Sequence, residues 1–320
     1  MVDHPALRVY AKFVAASTFL LLLAGGMVTS TGSGLAVPDW PLSFGKVMPA
    51  MEGGVLYEHG HRMVATFVGA LIVVLALWLW RVETRRWVRR LGWLALAGVV
   101  VQGALGGLTV LLGLPDPVSV AHAGLAEIVF GLTVTIALAL SRGWTSGTSP
   151  SALDLDAPPL FSIAAVTSCA IYGQILIGAV VRHSGAGLAI PTFPLAYGRL
   201  VPPLDSFPVA IHFAHRVGAA VVAVLVAWAV ARTARRHRGH GLLIRPAALL
   251  GGLLLTQMAL GGWVIVSYKA AWVTTAHLGT GALLFGVSLV LALRARRHLA
   301  LAPAPAEPAI RPHHEIAEAR

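Results

Sequence analysis

Eight apolar runs, each close to the roughly 20 residues that cross a bilayer core, recur along this 320-residue chain and constrain it more than any other feature. They cover about Phe13–Val28, Met63–Trp80, Leu91–Leu112, Val120–Leu140, Leu160–Val181, Val209–Ala231, Leu243–Val266 and Trp272–Leu293. A backbone immersed in lipid must satisfy its own N–H and C=O groups, so runs of this kind fold as helices. The composition agrees: 57% of the residues are hydrophobic and 12% charged, against about 25% charged in soluble domains. Disorder, coiled coil and a disulfide-rich secreted fold are excluded. The single cysteine, Cys169, lies inside the fifth run and is expected to be buried there, and no intrachain disulfide can form.

The formal charge of +11 comes from arginines that punctuate the spans, so it reports topology and not a nucleic-acid partner. Arg81, Arg85, Arg86, Arg89 and Arg90 follow the second span, and Arg232, Arg235, Arg236, Arg238 and Arg245 follow the sixth. Arg294, Arg296 and Arg297 follow the eighth, while Arg8 and Lys12 precede the first. The other loops hold few cations, chiefly Lys46, Arg199 and Lys269. The positive-inside rule then places both termini in the cytoplasm, in the inner membrane of a prokaryote. The first run resembles a signal peptide, but its repeat partner lies in mid-chain, which favours a retained helix. The Ala/Pro-rich segment from 298 to 320 reads as a disordered tail, with His313 and His314 solvated and not ligating.

An internal repeat organises the rest. GGMVTSTGSGLAVPDWPLSFGKVMP at Gly25–Pro49 aligns without gaps on GAVVRHSGAGLAIPTFPLAYGRLVP at Gly178–Pro202, 153 residues later. HRMVA at His61 recurs as HRVGA at His215, and QGALGG at Gln102 as QMALGG at Gln257. An even number of spans per half gives both halves one orientation, the parallel kind of repeat with a pseudo-twofold axis along the membrane normal. The expected fold is all-α: two four-helix bundles over 1–141 and 160–297, joined by a cytoplasmic linker at 142–159. The pairs Gly106–Gly107 and Gly261–Gly262 are expected to let helix backbones approach closely.

The repeat also places four histidines. His61, His122, His215 and His277 open the second, fourth, sixth and eighth spans, all on the non-cytoplasmic side. Two imidazoles on facing helices of a bundle can sandwich a haem. A lone histidine at such a place is ordinarily an interfacial cap, but repeat-matched pairs favour ligation. Zinc would want further ligands nearby, and copper stays open. Arg62 and Arg216 follow two of these histidines, and each either meets a carboxylate such as a haem propionate or snorkels to water. Trp40 and Phe193 are candidates for packing on porphyrin edges or for an aromatic belt.

Together, TGSGLAVPDWPLSFGKVMP, EHGHRMVA, QGALGGLTVLLGLP followed by AHAGLAE, and their second-half counterparts resemble the haem A synthase family over nearly the whole chain. That resemblance implies an oxidoreductase that converts the C8 methyl group of haem O to a formyl group, with water as oxygen source, to make haem A for cytochrome oxidase. It implies that His61 and His122 hold the substrate haem, that His215 and His277 with Arg216 hold a haem b cofactor, and that Glu58 is the essential carboxylate. Haem O synthase, oxidase assembly factors and an electron acceptor are the implied partners, besides membrane lipid. Many members carry a cysteine pair where this chain has Val37 and Ser43.

Glu58 aligns with His212, so the halves differ where chemistry would need a difference. A carboxylate near a methyl carbon can act as a base in its oxidation, or Glu58 is an ordinary acid favoured by a helix dipole. His59 and His212 read as neighbours of the ligands, with Arg62. Glu127, a carboxylate within a span, has no assigned role. A quinol-linked di-haem electron carrier is the competing function, although ligands sharing one face do not suit transfer across the bilayer. A transporter is a third reading, which broken midplane helices would have supported.

Overall fold

The computed structural model describes residues 4–145, 152–154 and 156–301 and is nearly all helical. The long helices are α1 (Pro5–Ser30), α2 (Gly54–Val82), α3 (Arg86–Leu111), α4 (Asp116–Ala139), α6 (Leu160–His183), α7 (Phe207–Arg236), α8 (Gly241–Val266) and α9 (Ala271–His298), with a short α5 (Arg142–Thr145) between α4 and α6. By length and composition, eight of them can cross a membrane, so the chain is multi-pass. They outrun the apolar windows because polar and basic residues continue the same helices. Arg81 lies in the last turn of α2, and Arg235 and Arg236 in that of α7, where cations also complement the helix dipole. Proline occupies the first turn of α1, α4 and α7, where its missing N–H would have had no partner.

Helix ends repeat as faithfully as the sequence. After α3, Gly113 N–H donates to Val110 O and Leu114 N–H to Thr109 O; after α8, Tyr268 N–H donates to Ile265 O and Lys269 N–H to Val264 O. Both pairs have positive φ, the left-handed stop that satisfies the last carbonyls of a helix.

In the first half α1 packs on α2 and α4, α2 on α3, and α3 on α4; α6, α7, α8 and α9 repeat the same closed circuit. Each circuit has its own core, one built on residues such as Ile72, Leu75 and Ile136, the other on Leu243, Leu250 and Leu291. The circuits meet along α1 and α4 against α6 and α9. There the contacts come in matched pairs: Phe130 lies over Gly286 and Phe285 over Gly131, while Leu176 lies over Gly124 and Leu23 over Gly279.

Two expectations change. Cys169 is exposed on the outer face of α6, because its neighbours Thr167 and Ser168 take the inward positions. Order also continues past Arg297: His298 ends α9, and β2 (Leu299–Leu301) pairs in parallel with β1 (Ala152–Asp154) of the linker. The rest of the segment read as a tail, including His313 and His314, lies outside the described residues.

Candidate functional site

The four histidines do not open their helices. His61, His122, His215 and His277 lie six to eight residues inside α2, α4, α7 and α9, or about 9–12 Å along the axis at 1.5 Å per residue. The N-caps are Gly53, Pro115, Ser206 and Ala270, so no histidine caps a helix. Each ring instead faces a glycine on an adjacent helix. A Cβ on Gly25 would lie 3.0 Å from His61 Cε1, and one on Gly178 would lie 3.0 Å from His215 Cε1. The same holds for Gly106 and His122 at 3.3 Å, and for Gly261 and His277 at 3.2 Å. The glycine pairs therefore make seats for rings and are not simply points of backbone approach.

The His215 and His277 ring centroids are 6.4 Å apart, inclined at 73°. That separation leaves room for one metal ion between two imidazole nitrogens at ordinary coordination lengths of about 2 Å. His61 and His122 are close enough to interact electrostatically. The Nδ1 atoms of His61, His122 and His277 are buried without a hydrogen-bond partner among the described residues. Among the described residues no group of three or more His, Cys, Asp or Glu gathers as a metal site, so the donor sets are pairs of imidazoles. They fit an axially ligated haem iron and lack the extra ligands that zinc would take.

The second feature is a pair of clamped loops. In the first, residues 31–53, the Arg62 guanidinium donates to Asp39 O at 2.7 Å, Leu42 O at 2.9 Å and Val37 O at 3.3 Å. In the second, residues 184–206, Arg216 donates to Ile190 O at 3.0 Å and Thr192 O at 2.8 Å. Glu58 and His212 also do matching work: Val37 N–H donates to Glu58 Oε2 at 2.8 Å, and Ile190 N–H donates to His212 Nδ1 at 3.2 Å. Glu58 adds a 2.5 Å ion pair with Arg62. Arg62 thus neither snorkels nor stands free for a propionate; the loop and Glu58 occupy it. Arg216 has no carboxylate in the corresponding place, and its Nη1 is buried without a partner among the described residues.

The loop interior repeats as well. Asp39 accepts N–H groups from Phe44 and Gly45 at 2.7 and 2.8 Å, and these hold its carboxyl below the usual carboxylate range. Thr192 Oγ1 accepts the Tyr197 N–H at 2.8 Å in the second loop. Val37 and Ser43 are fully buried, and Ser43 Oγ meets His59 Nδ1 at 2.8 Å. Trp40 and Phe193 seat against Gly107 and Gly262, which places both rings on the helix bearing the histidine-facing glycine.

Three further residues matter here. Gln174 meets His215 Nδ1 at 2.9 Å and donates to His215 O at 2.7 Å; a polar residue where the repeat has Leu21 was the available signal. Arg182, in the last turn of α6 and a weaker propionate candidate by sequence, donates across the halves to Gly26 O at 2.6 Å and Ser30 Oγ at 2.8 Å. Ser43 takes a buried anchoring role. Glu127 is buried near Tyr172, with Oε2 unpartnered among the described residues.

The chain is similar to known proteins over most of its length. The heme A synthase of Symbiobacterium thermophilum is 35% identical over 289 residues, 86% of this chain and 90% of that protein. The proteins of the same name from Geobacillus kaustophilus and Geobacillus thermodenitrificans are each 31% identical, covering 91% and 93% of this chain and 93% and 95% of their own. Residues 51–289 match the COX15-CtaA profile, described as cytochrome oxidase assembly protein. With that match spanning well over half its length, the chain belongs to the COX15-CtaA family.

Proposed function

We propose that the chain is a haem A synthase of a bacterial inner membrane, oxidising the C8 methyl group of haem O to a formyl group. The observation that carries this is the duplicated histidine pair, each ring seated on a glycine, in a chain of this family. His61 and His122 hold the substrate haem O, and His215 and His277 hold haem b. The sites lie at the end of the bundles closed by loops 31–53 and 184–206, on the non-cytoplasmic side. The halves form two bundles about a pseudo-twofold axis, which the paired contacts of Phe130 and Phe285 support.

Haem b, when bound, supplies a redox-active iron beside the substrate site. The chain's own residues bind and orient. The buried Nη1 of Arg216 suits a propionate carboxylate, and Trp40, Phe193 and the clamped loops keep water from the ring faces. Glu58 is the base: oxidation of a methyl group removes hydrogen and electrons and takes one oxygen atom from water, and the electrons leave to an acceptor. Only the first half carries a carboxylate at this place, whereas an electron carrier without chemistry would have no use for the difference.

The test is expression with a haem O source, followed by mass analysis of extracted haem and visible spectra of the purified protein. Haem A is expected in the wild type, together with a low-spin bis-histidine haem b spectrum. That spectrum is expected to vanish or turn high-spin in His215→Ala and His277→Ala and to persist in His61→Ala. Loss of haem b in His61→Ala with retention in His215→Ala would reverse the assignment of the halves.

A further inference from the structure

The two halves differ on the helix face just beneath the histidine seats. On α3, Gly106 seats the His122 ring and Gly107 the Trp40 ring; Gly103 lies one turn deeper on the same face. Three turns deeper again, at Gly92, α3 touches α2: a Cβ there would stand 2.9 Å from Leu79 Cδ1 and 3.4 Å from Ala76 Cα. Gly69 is two turns above Ala76, on the face of α2 that meets α3. Gly69 and Gly103 therefore front the same interface within about one turn of each other, yet a Cβ on either would meet nothing within 4 Å. The helices close at the ends remote from the histidines and leave a slot open nearer to them. Above the slot, the Nδ1 atoms of His61 and His122 are buried without a partner among the described residues, so it opens from a place that awaits a ligand. In the second half Gly261 seats His277 as Gly106 seats His122, which fixes the register. The repeat there sets Ala223 and Met258 at the places of Gly69 and Gly103, two turns above the contact of Val230 with Gly251. Met258, 53% exposed, stands where Gly103 leaves space.

We propose that the slot between Gly69 and Gly103 receives the farnesyl chain of haem O, and that the exchange of Gly103 for Met258 makes the first site accept a farnesylated haem and the second a haem without that chain. The proposal rests on the reading of His61 and His122 as the haem O site. Haem O differs from haem b by a hydroxyethylfarnesyl group in place of one vinyl, a long isoprenoid chain on the edge of the macrocycle opposite the propionates. Propionates belong at the polar end, under the clamped loops, so the chain leaves toward the middle of the bundle. A slot between two apolar helices opens there, and burial in it keeps the chain from water. The first half alone needs this space, because haem b carries only small vinyl groups on that edge. A methionine in the second slot takes up volume that the chain would need, so exclusion as well as fit separates the two haems.

The experiment exchanges the two residues in the full chain, purified after expression with a haem O source. Haem b and farnesylated haem (haem O plus haem A) per chain are measured by extraction and mass analysis. Gly103→Met is expected to lose farnesylated haem at least about tenfold, the discrimination that small changes of apolar bulk give in a pocket. It is expected to keep the bis-histidine haem b spectrum, which reports an intact fold. Met258→Gly, made in the His61→Ala chain, is expected to carry haem O that His61→Ala alone lacks. Wild-type farnesylated haem in Gly103→Met would overturn the proposal and leave the haem O site where His61 puts it. Should Gly103→Met not accumulate, the Met258→Gly arm decides, and absence of haem O there overturns the proposal. Full farnesylated haem in His61→Ala would overturn the site assignment and the proposal with it.

Discussion

Glu58 and His212 show how one position can share a structural task and divide a chemical one. Both accept a buried main-chain N–H from the loop above, so neither is idle in the fold. Only Glu58 adds a carboxylate, held against Arg62. Glu58→Gln keeps an acceptor for Val37 N–H but removes the ion pair and the base. Haem b is expected to stay bound while formyl production falls about 10²–10⁴-fold, with haem O or a hydroxymethyl intermediate retained on the protein. His212→Gln, which disturbs the same tether in the other half, is expected to have a smaller effect on haem A yield. Near-normal yield from Glu58→Gln would return Glu58 to the tether alone. The histidine set could be read from the sequence because duplication marked it. Gln174 showed only as a polar residue where the repeat has Leu21, and Ser43 as one more loop serine, and neither says which ring it touches until the structure shows it. Arg62 was legible as a functional charge but not in its target, since main-chain carbonyls leave no trace in the residue types around them.

The element that most repays description is the helix-plus-loop unit. One arginine, next to one histidine on α2, gathers three loop carbonyls and a carboxylate, and α7 repeats the device with two carbonyls. A guanidinium is a rigid fork, whereas an ammonium is a point charge on a flexible stem. Arg62→Lys is therefore expected to loosen residues 37–46 selectively, seen as faster backbone hydrogen exchange there and little change in α3 or α4. Equal exchange in wild type and variant would mean that Trp40 on Gly107 and Ser43 on His59 hold the loop unaided. The loop contains no cysteine, the chain's single Cys169 lying in α6, so these contacts hold it without a covalent bond. The sequence revealed the loop as a repeated unit, and its prolines and aromatics as a cover. It did not show that rings seat on the adjacent glycines, because a missing Cβ admits a ring as readily as a neighbouring helix.

At the scale of the whole molecule, α1, α4, α6 and α9 form the seam between the halves, and α2, α3, α7 and α8 lie outside it. The span count was legible in the sequence, whereas which helices form the seam, and the pairing of seam residues such as Phe130 with Gly286, needed coordinates. The arginine distribution predicts cytoplasmic termini. Alkaline phosphatase inserted after Gly45 is expected to be active, and a fusion after Arg297 inactive; the reverse pattern would invert the topology and move the haem sites to the cytoplasmic side. The clamps have a consequence for how the halves can diverge. Arg62 and Arg216 grasp main-chain oxygen, which every residue supplies, so the grip is indifferent to what the gripped residues are. Asp39 can face Thr192 and Trp40 can face Phe193 across the duplication while the backbone path is conserved, with isolated bridges at Ser43–Lys46 and Ala196–Arg199. A fastening that ignores side chains leaves each copy free to diverge in sequence on a shared chassis.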